Sequence, residues 1–411
     1  MPGSPIFQLE TFVNSGHRFA KKSQYELPHL LEHLAFEGSA RFPDPQILRY
    51  QLEKFGIFSN AFTSFYMNGY VLYGASEYWR YITDLGFEWL LEPSFTQIAI
   101  DEQKQVVENE LIRHKSNAES WAGLQIYHSM KNGQVPEYDQ RIGSLANISQ
   151  VDIRDYHEAY YQPENLIHII TGDLPLKRVE AITEQIETKL AALKSGTTQP
   201  NPVVLPEQPK QLLFHTPYPY EDAVRFIMSF SHAGFSPKHI IPLRVFDTIL
   251  NGGLYSRIFT KSRERGLSYT VSSGAWSQKE STGAEYWDKT QPQHIKPLID
   301  LILGEVQTVA RGEFSDEELE RAIGYLVGQQ ATRFQTALDY TGWYESVYTD
   351  DMPLRTPDEF VTELKAVTRE QIMAAADYVF SSKANHRYLS ISSHSKLDPE
   401  IERMVADFRI R

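Results

Sequence analysis

Three side chains in one short stretch have the types and spacing for metal chemistry. Residues 26–39 read ELPHLLEHLAFEGS, an apolar run interrupted by His29, Glu32 and His33. Read as a helix opening after Pro28, His29 and His33 stand at i and i+4, one above the other, and Glu32 adjoins the same face. Two neutral imidazoles at this spacing can bind one zinc ion through nitrogen. Such an ion lowers the pKa of its water towards about 7, and the neighbouring carboxylate can take the proton as hydroxide attacks a carbonyl. The plain alternative is an amphipathic helix whose histidines face water or are satisfied in a core.

A catalytic zinc usually takes three protein ligands and keeps a fourth position for water. The third must come from elsewhere in the chain. The stretch DEQKQVVENELIRHKSN, residues 101–117, reads as a helix with Val106, Val107, Leu111 and Ile112 at its apolar positions. It offers Glu102, Glu108 and Glu110, and spacing alone leaves all three open. Cysteine is absent from the chain, so thiolate ligands and disulfides are excluded and any metal must rest on His, Asp or Glu.

These residues need elements to hold them. A chain of 411 residues is too long for one ordinary core, so two domains are expected. The composition, 41% hydrophobic and 23% charged, is that of packed domains rather than a disordered chain. The net charge is −13, and no dense Lys/Arg stripe appears, which argues against nucleic acid as a partner. No apolar run reaches membrane-spanning length, and the N-terminus does not read as a signal peptide. A cytoplasmic protein is the expectation.

The Pro-rich segment at 194–211 reads as a linker between domains 1–193 and 212–411. The halves read alike. Each opens on a β-like stretch, FQLETFVNSG and AVRFIMSFSHAG, and turns helical through 28–38 and IIPLRVFDTILNGG. Strand-like segments follow, GIFSNAFTSFYMNGYVLYGAS and LSYTVSSGAWS, then long helices at 96–118 and 315–333. Each half closes on a β-like segment, NLIHIITGD and RYLSISS. This suggests two copies of one α+β unit.

The ordered motifs together resemble the pitrilysin/insulinase family of inverzincin metallopeptidases, in its two-domain, processing-peptidase-like branch. The segment SGHRFAKKSQYELPHLLEHLAFEGS is similar to that family's G-S-R-x-E … G-x-A-H-x-x-E-H-x-x-F-x-G-T, and GIFSNAFTSF to its N-A-x-T-S. QVVENELIR, IGSLANIS, YYQPENLIHIITGD and NGGLYSRIFTKSRERGLSYTVSS resemble later family elements in order. The resemblance implies two homologous α/β-roll domains, each a mixed sheet covered by helices, in a clamshell arrangement.

The resemblance also implies roles. His29, His33 and Glu110 would bind one zinc ion per chain, Glu110 being selected by its spacing and local pattern. Glu32 would be the general base that activates the zinc-bound water. Asn60, Ala61, Phe62 and Thr63 match an edge strand that binds substrate as an extended strand. Arg263 and Tyr269 match a pair that clamps substrate and the developing oxyanion. The second half has no H-x-x-E-H, and its His215, His232 and His239 lack ligand spacing, so it reads as a non-catalytic, homologous clamp. The implied function is an endopeptidase acting on peptides or unfolded segments, as a homodimer or as a heterodimer with a family partner. The competing readings are a non-catalytic or regulatory subunit of a larger complex, and zinc-dependent binding without hydrolysis.

Four positions depart from the pattern. Gln103 stands where an outer carboxylate supporting the zinc site is usual. Glu26 replaces a glycine three residues before His29. Arg263 and Tyr269 are one residue closer than usual. The first motifs come early in the chain, which leaves the first sheet expected to lack an opening edge strand.

Overall fold

The computed structural model describes residues 1–191, 193, 211–217, 223–381, 385–393 and 398–410. The linker expected at 194–211 therefore lies, except for Gln211, outside the described residues. Among the described residues nine strands form two sheets: β1 (Ile6–Val13), β2 (Phe58–Thr63), β3 (Asn68–Ala75) and β4 (Leu166–Thr171), then β5 (Gln211–Pro217), β6 (Val224–Ala233), β7 (Ser272–Gln278), β8 (Ser281–Thr290) and β9 (Asn385–Ser393).

The first sheet runs β2-β3-β1-β4 and is antiparallel throughout. β1 is central and buried from Phe7 to Val13, including the polar Gln8, Glu10 and Thr11 among its apolar residues. Asn60, Val71, Glu10 and Ile169 line up in one row across the four strands. β2 closes one side of the sheet and, among the described residues, pairs only with β3.

The second sheet runs β7-β8-β6-β9-β5. Its first four strands repeat the order of the first sheet, so the α+β unit occurs twice. β5 is the addition, and it pairs in parallel with β9, making this sheet mixed. Among the described residues no strand takes the corresponding place outside β4.

The compact units are not the two contiguous halves expected. One comprises residues 1–113, 136–203 and 334–349; the other comprises 114–135, 204–333 and 350–411. The helix Ala337–Thr349 thus covers β1 and β4 of the first sheet, and the helix Ala118–Met130 covers β9, β6 and β5 of the second. In the first unit, Tyr344 of the 337–349 helix packs with Phe62 and Ile167 on the buried cluster of Phe12, Met67 and Ile169. Periodicity reports that a helix has an apolar face, but not which sheet receives it. Among the described residues, no helix is long and apolar enough to cross a membrane.

Candidate metal centre

The helix Leu27–Leu34 carries the motif. Pro28 sits in its first turn, where the missing N–H costs nothing. Leu27, Leu30, Leu31 and Leu34 are buried, an i, i+3, i+4, i+7 stripe that fixes the helix on the sheet. His29, Glu32 and His33 fall on the remaining arc. The segment before it is pinned by Gly16, where a Cβ would meet the Met67 nitrogen at 2.3 Å. That close approach lets His17 donate its backbone N–H to the Ser64 carbonyl.

The helix Gln97–Lys115 supplies the third group. It buries Ala99, Ile100, Val107 and Leu111, whereas Val106 and Ile112 are exposed, contrary to the apolar pattern expected. Gln103 and Glu110 are seven residues, or about two turns, apart and flank this stripe on the same side. Glu110 Oε2 lies 3.7 Å from His29 Nε2 and 3.7 Å from His33 Nε2. Among the described residues, these three form the one group of His, Asp and Glu whose ligand atoms lie within 4.8 Å of one another. Donors about 2.0–2.2 Å from a tetrahedral ion stand roughly 3.4 Å apart, so the set fits a zinc-sized ion after a small contraction. Glu102 is exposed and Glu108 half-buried, and neither joins the group.

Both imidazoles are oriented from behind. His29 Nδ1 is 2.9 Å from Glu26 Oε2, and His33 Nδ1 is 3.1 Å from Gln103 Oε1. The Gln103 amide nitrogen donates to Glu37 Oε1 at 3.0 Å, and a carboxylate only accepts, so the amide oxygen must face His33. Each ring then carries its proton on Nδ1 and turns the Nε2 lone pair towards Glu110. Glu37 is held in turn by Arg49 at 3.3 Å.

Glu26 is fully buried and takes Arg141 at 2.6 Å and 3.3 Å on its two oxygens. Burial works to raise its pKa, but Arg141, His29 and His17 outweigh it and hold the carboxyl well below the usual range. Burial likewise works against a charged His29, and the hydrogen bond and charge of Glu26 overcome it, raising His29. Burial pushes His17 down to about 4.

Glu32 is set from the sheet. Thr63 Oγ1 donates to Glu32 Oε2 at 2.7 Å, and Asn68 Nδ2 donates to Thr63 Oγ1 at 2.9 Å and to the Pro28 carbonyl at 3.0 Å. Asn60, Ala61, Phe62 and Thr63 lie on the edge strand β2, beside the motif helix. Arg263 and Tyr269 lie in the second unit, where the Arg263 guanidinium stacks 4.7 Å from the Tyr269 ring centre. Sequence reading identified Glu26 only as an oddity, and it missed Arg141, Glu37 and Asn68. The Glu26–Arg141 contact spans 115 positions, a distance at which no local pattern operates.

Comparison with known proteins adds an independent line. Residues 2–136 match the family model described as insulinase (peptidase family M16), and residues 147–326 match the one described as peptidase M16 inactive domain. The chain is 29% identical over 207 residues to "Probable zinc protease PqqL" of Haemophilus influenzae, covering 47% of this chain and 21% of that protein. It is 22% identical over 326 residues to "Zinc protease PqqE" of Helicobacter pylori, covering 77% of this chain and 72% of that protein. The first alignment thus spans about a fifth of its relative. A crystal structure of a protease from Helicobacter pylori superposes with a TM-score of 0.83 at 16% identity over 95% of both chains, a likeness of fold. With both halves matched in order by models of one family, this chain belongs to the pitrilysin/insulinase (M16) peptidase family.

Proposed function

We propose that the protein is a zinc-dependent endopeptidase that hydrolyses peptides or unfolded polypeptide segments bound as an extended strand. The observation that carries this is the convergence of His29, His33 and Glu110 at 3.7 Å beside a Glu32 that is not part of the ligand set. His29 and His33 would hold the ion through Nε2 and Glu110 through a carboxylate oxygen. When bound, zinc supplies Lewis acidity, polarising the scissile carbonyl and making an attacking water acidic enough to ionise near neutral pH.

The remaining steps belong to the chain. Thr63 occupies one Glu32 oxygen, which leaves the other to accept the water proton and deliver it to the leaving amine. β2 is an edge strand with main-chain groups available to an extended peptide, so Asn60, Ala61, Phe62 and Thr63 would align the substrate beside Glu32. Arg263, braced on Tyr269, is a cationic donor suited to clamp the substrate and the developing oxyanion. The second unit would serve as the non-catalytic clamp, and a homodimer is the assembly to test first, a heterodimer with a family partner second.

The test is zinc content of the purified chain together with cleavage of a quenched fluorescent peptide library, for the unaltered protein and Glu32→Gln. Stoichiometric zinc with turnover abolished in the variant supports the peptidase. Zinc without turnover in the unaltered chain would assign a binding or regulatory role instead. No zinc after incubation with excess metal would sink the catalytic reading.

A further inference from the structure

The two histidines are backed by partners of different charge. His33 meets the neutral amide of Gln103, which leans on Glu37. His29 meets the carboxylate of Glu26, which leans on Arg141. A carboxylate behind a ligating imidazole fixes its tautomer and raises its basicity more than an amide does. Glu26 also caps the start of the motif helix without bonding its free N–H groups through the side chain. Its carboxylate instead reaches forward one turn to His29. Packing alone does not account for it, because a buried ion pair usually stabilises no more than well-packed apolar side chains of the same volume. His17 stacks on Tyr25 at 4.5 Å, and its ring stands edge-on 6.3 Å from that of His29.

We infer that Glu26, braced by Arg141, is the positioning residue of the metal centre: it holds His29 with Nδ1–H turned away from the ion, and supplies the outer carboxylate that Gln103 does not. This rests on the zinc reading above and deepens it. The charge behind the site stands at His29, and a neutral amide at His33. It follows that a carboxylate placed at position 103, with Glu37 changed to Gln so that a donor still faces it, should compensate for one removed at position 26.

The experiment compares the unaltered protein with Glu26→Gln and with Glu26→Gln, Gln103→Glu, Glu37→Gln, in which the exchange at 103 and 37 keeps the hydrogen bond between them. Because Glu26→Gln leaves Arg141 buried against a neutral group, Glu26→Gln, Arg141→Met is made as well, and circular dichroism identifies which variants fold. Zinc affinity is read by competition with a chromophoric chelator. The His29 tautomer is read on metal-free, 15N-histidine-labelled protein above pH 8 by long-range nitrogen–proton correlation. We expect Nδ1–H at His29 in the unaltered protein and a mixed tautomer without Glu26. Zinc affinity should fall about 10–100-fold without Glu26, and Gln103→Glu with Glu37→Gln should recover most of that loss. Zinc affinity within twofold of the unaltered protein in the folded variants lacking Glu26 overturns the inference, whatever the tautomer. If the unaltered protein binds no zinc, the metal reading itself falls, and the tautomer measurement still decides whether Glu26 sets the ring.

Discussion

Thr63, the last residue of the edge strand β2, donates its hydroxyl to Glu32 Oε2 at 2.7 Å. The bond ties the strand that would carry substrate to the carboxylate that would take the proton. Asn68 donates to the hydroxyl oxygen from the other side at 2.9 Å and is itself fully buried, so the Thr63 proton goes to Glu32 at 2.7 Å in preference to the Pro28 carbonyl at 3.5 Å. A hydrogen bond to a charged group contributes about 1.5–3 kcal/mol. Thr63→Val keeps the shape and removes the donor. We expect kcat to fall roughly 10–100-fold with KM little changed, and Thr63→Ser to retain most of the rate. Equal turnover by Thr63→Val and the unaltered protein would show that Glu32 does not depend on this bond.

Zinc should stabilise the fold if the three donors converge as their 3.7 Å spacings suggest. A ligand bound only by the folded state adds about 2.7 kcal/mol at a hundred times its Kd. Thermal unfolding with added zinc should shift upward, and a chelator should reverse the shift. Glu110 is partly exposed, so Glu110→Gln is expected to fold and to lose most of the zinc-dependent shift. A full shift in that variant would remove Glu110 from the ligand set.

Several of these features are legible in the sequence. The Leu27, Leu30, Leu31, Leu34 stripe leaves His29, Glu32 and His33 together by periodicity alone, and a resemblance selects Glu110. The strands with alternating or continuous apolar residues, β1, β3 and β6, stand out. β8 does not, because its sequence STGAEYWDKT fills a central position with small residues, Gly283 and Ala284, rather than β-branched ones. The network behind the histidines is hidden for another reason. Glu26 and Glu37 flank the motif helix, but their partners Arg141 and Gln103 come from other segments, and only the folded chain brings them within hydrogen-bond distance. Likewise, Val106 and Ile112 read as core and are exposed, since the helix buries the line of Ile100, Val107 and Leu111 instead.

His168 on β4 should make the protein acid-sensitive. Its Nδ1 meets Thr11 Oγ1 at 2.9 Å, its Nε2 is buried without a hydrogen-bond partner among the described residues, and burial pushes its pKa down to about 4. The unfolded chain takes up that proton near pH 6.5, whereas the folded chain does so only near 4. The contribution is therefore complete above about pH 6.5 and is lost as pH falls towards 4, at up to about 1.4 kcal/mol per pH unit. Urea unfolding of His168→Gln should show a shallower loss of stability across that window than the unaltered protein. Parallel curves would mean that His168 is protonated alike in both states.

Glu10 should act with the opposite sign. It lies at the centre of the first sheet under the 337–349 helix, with Gln8 Nε2 at 3.4 Å. Burial, reinforced by the negative charge of Glu345, pushes it up to about 7. An acid whose folded pKa is raised binds its proton more tightly in the folded state. That stability is present below about pH 4.5 and is lost as pH rises through 7. A glutamine has no proton to lose and fills the same space. Glu10→Gln should therefore match the unaltered protein near pH 5 and exceed it at pH 8, by on the order of 1–3 kcal/mol in denaturant unfolding. A variant less stable than the unaltered protein at pH 8 would mean that the ionised carboxylate is stabilised in place, and that the row Asn60, Val71, Glu10, Ile169 holds a charge the fold uses.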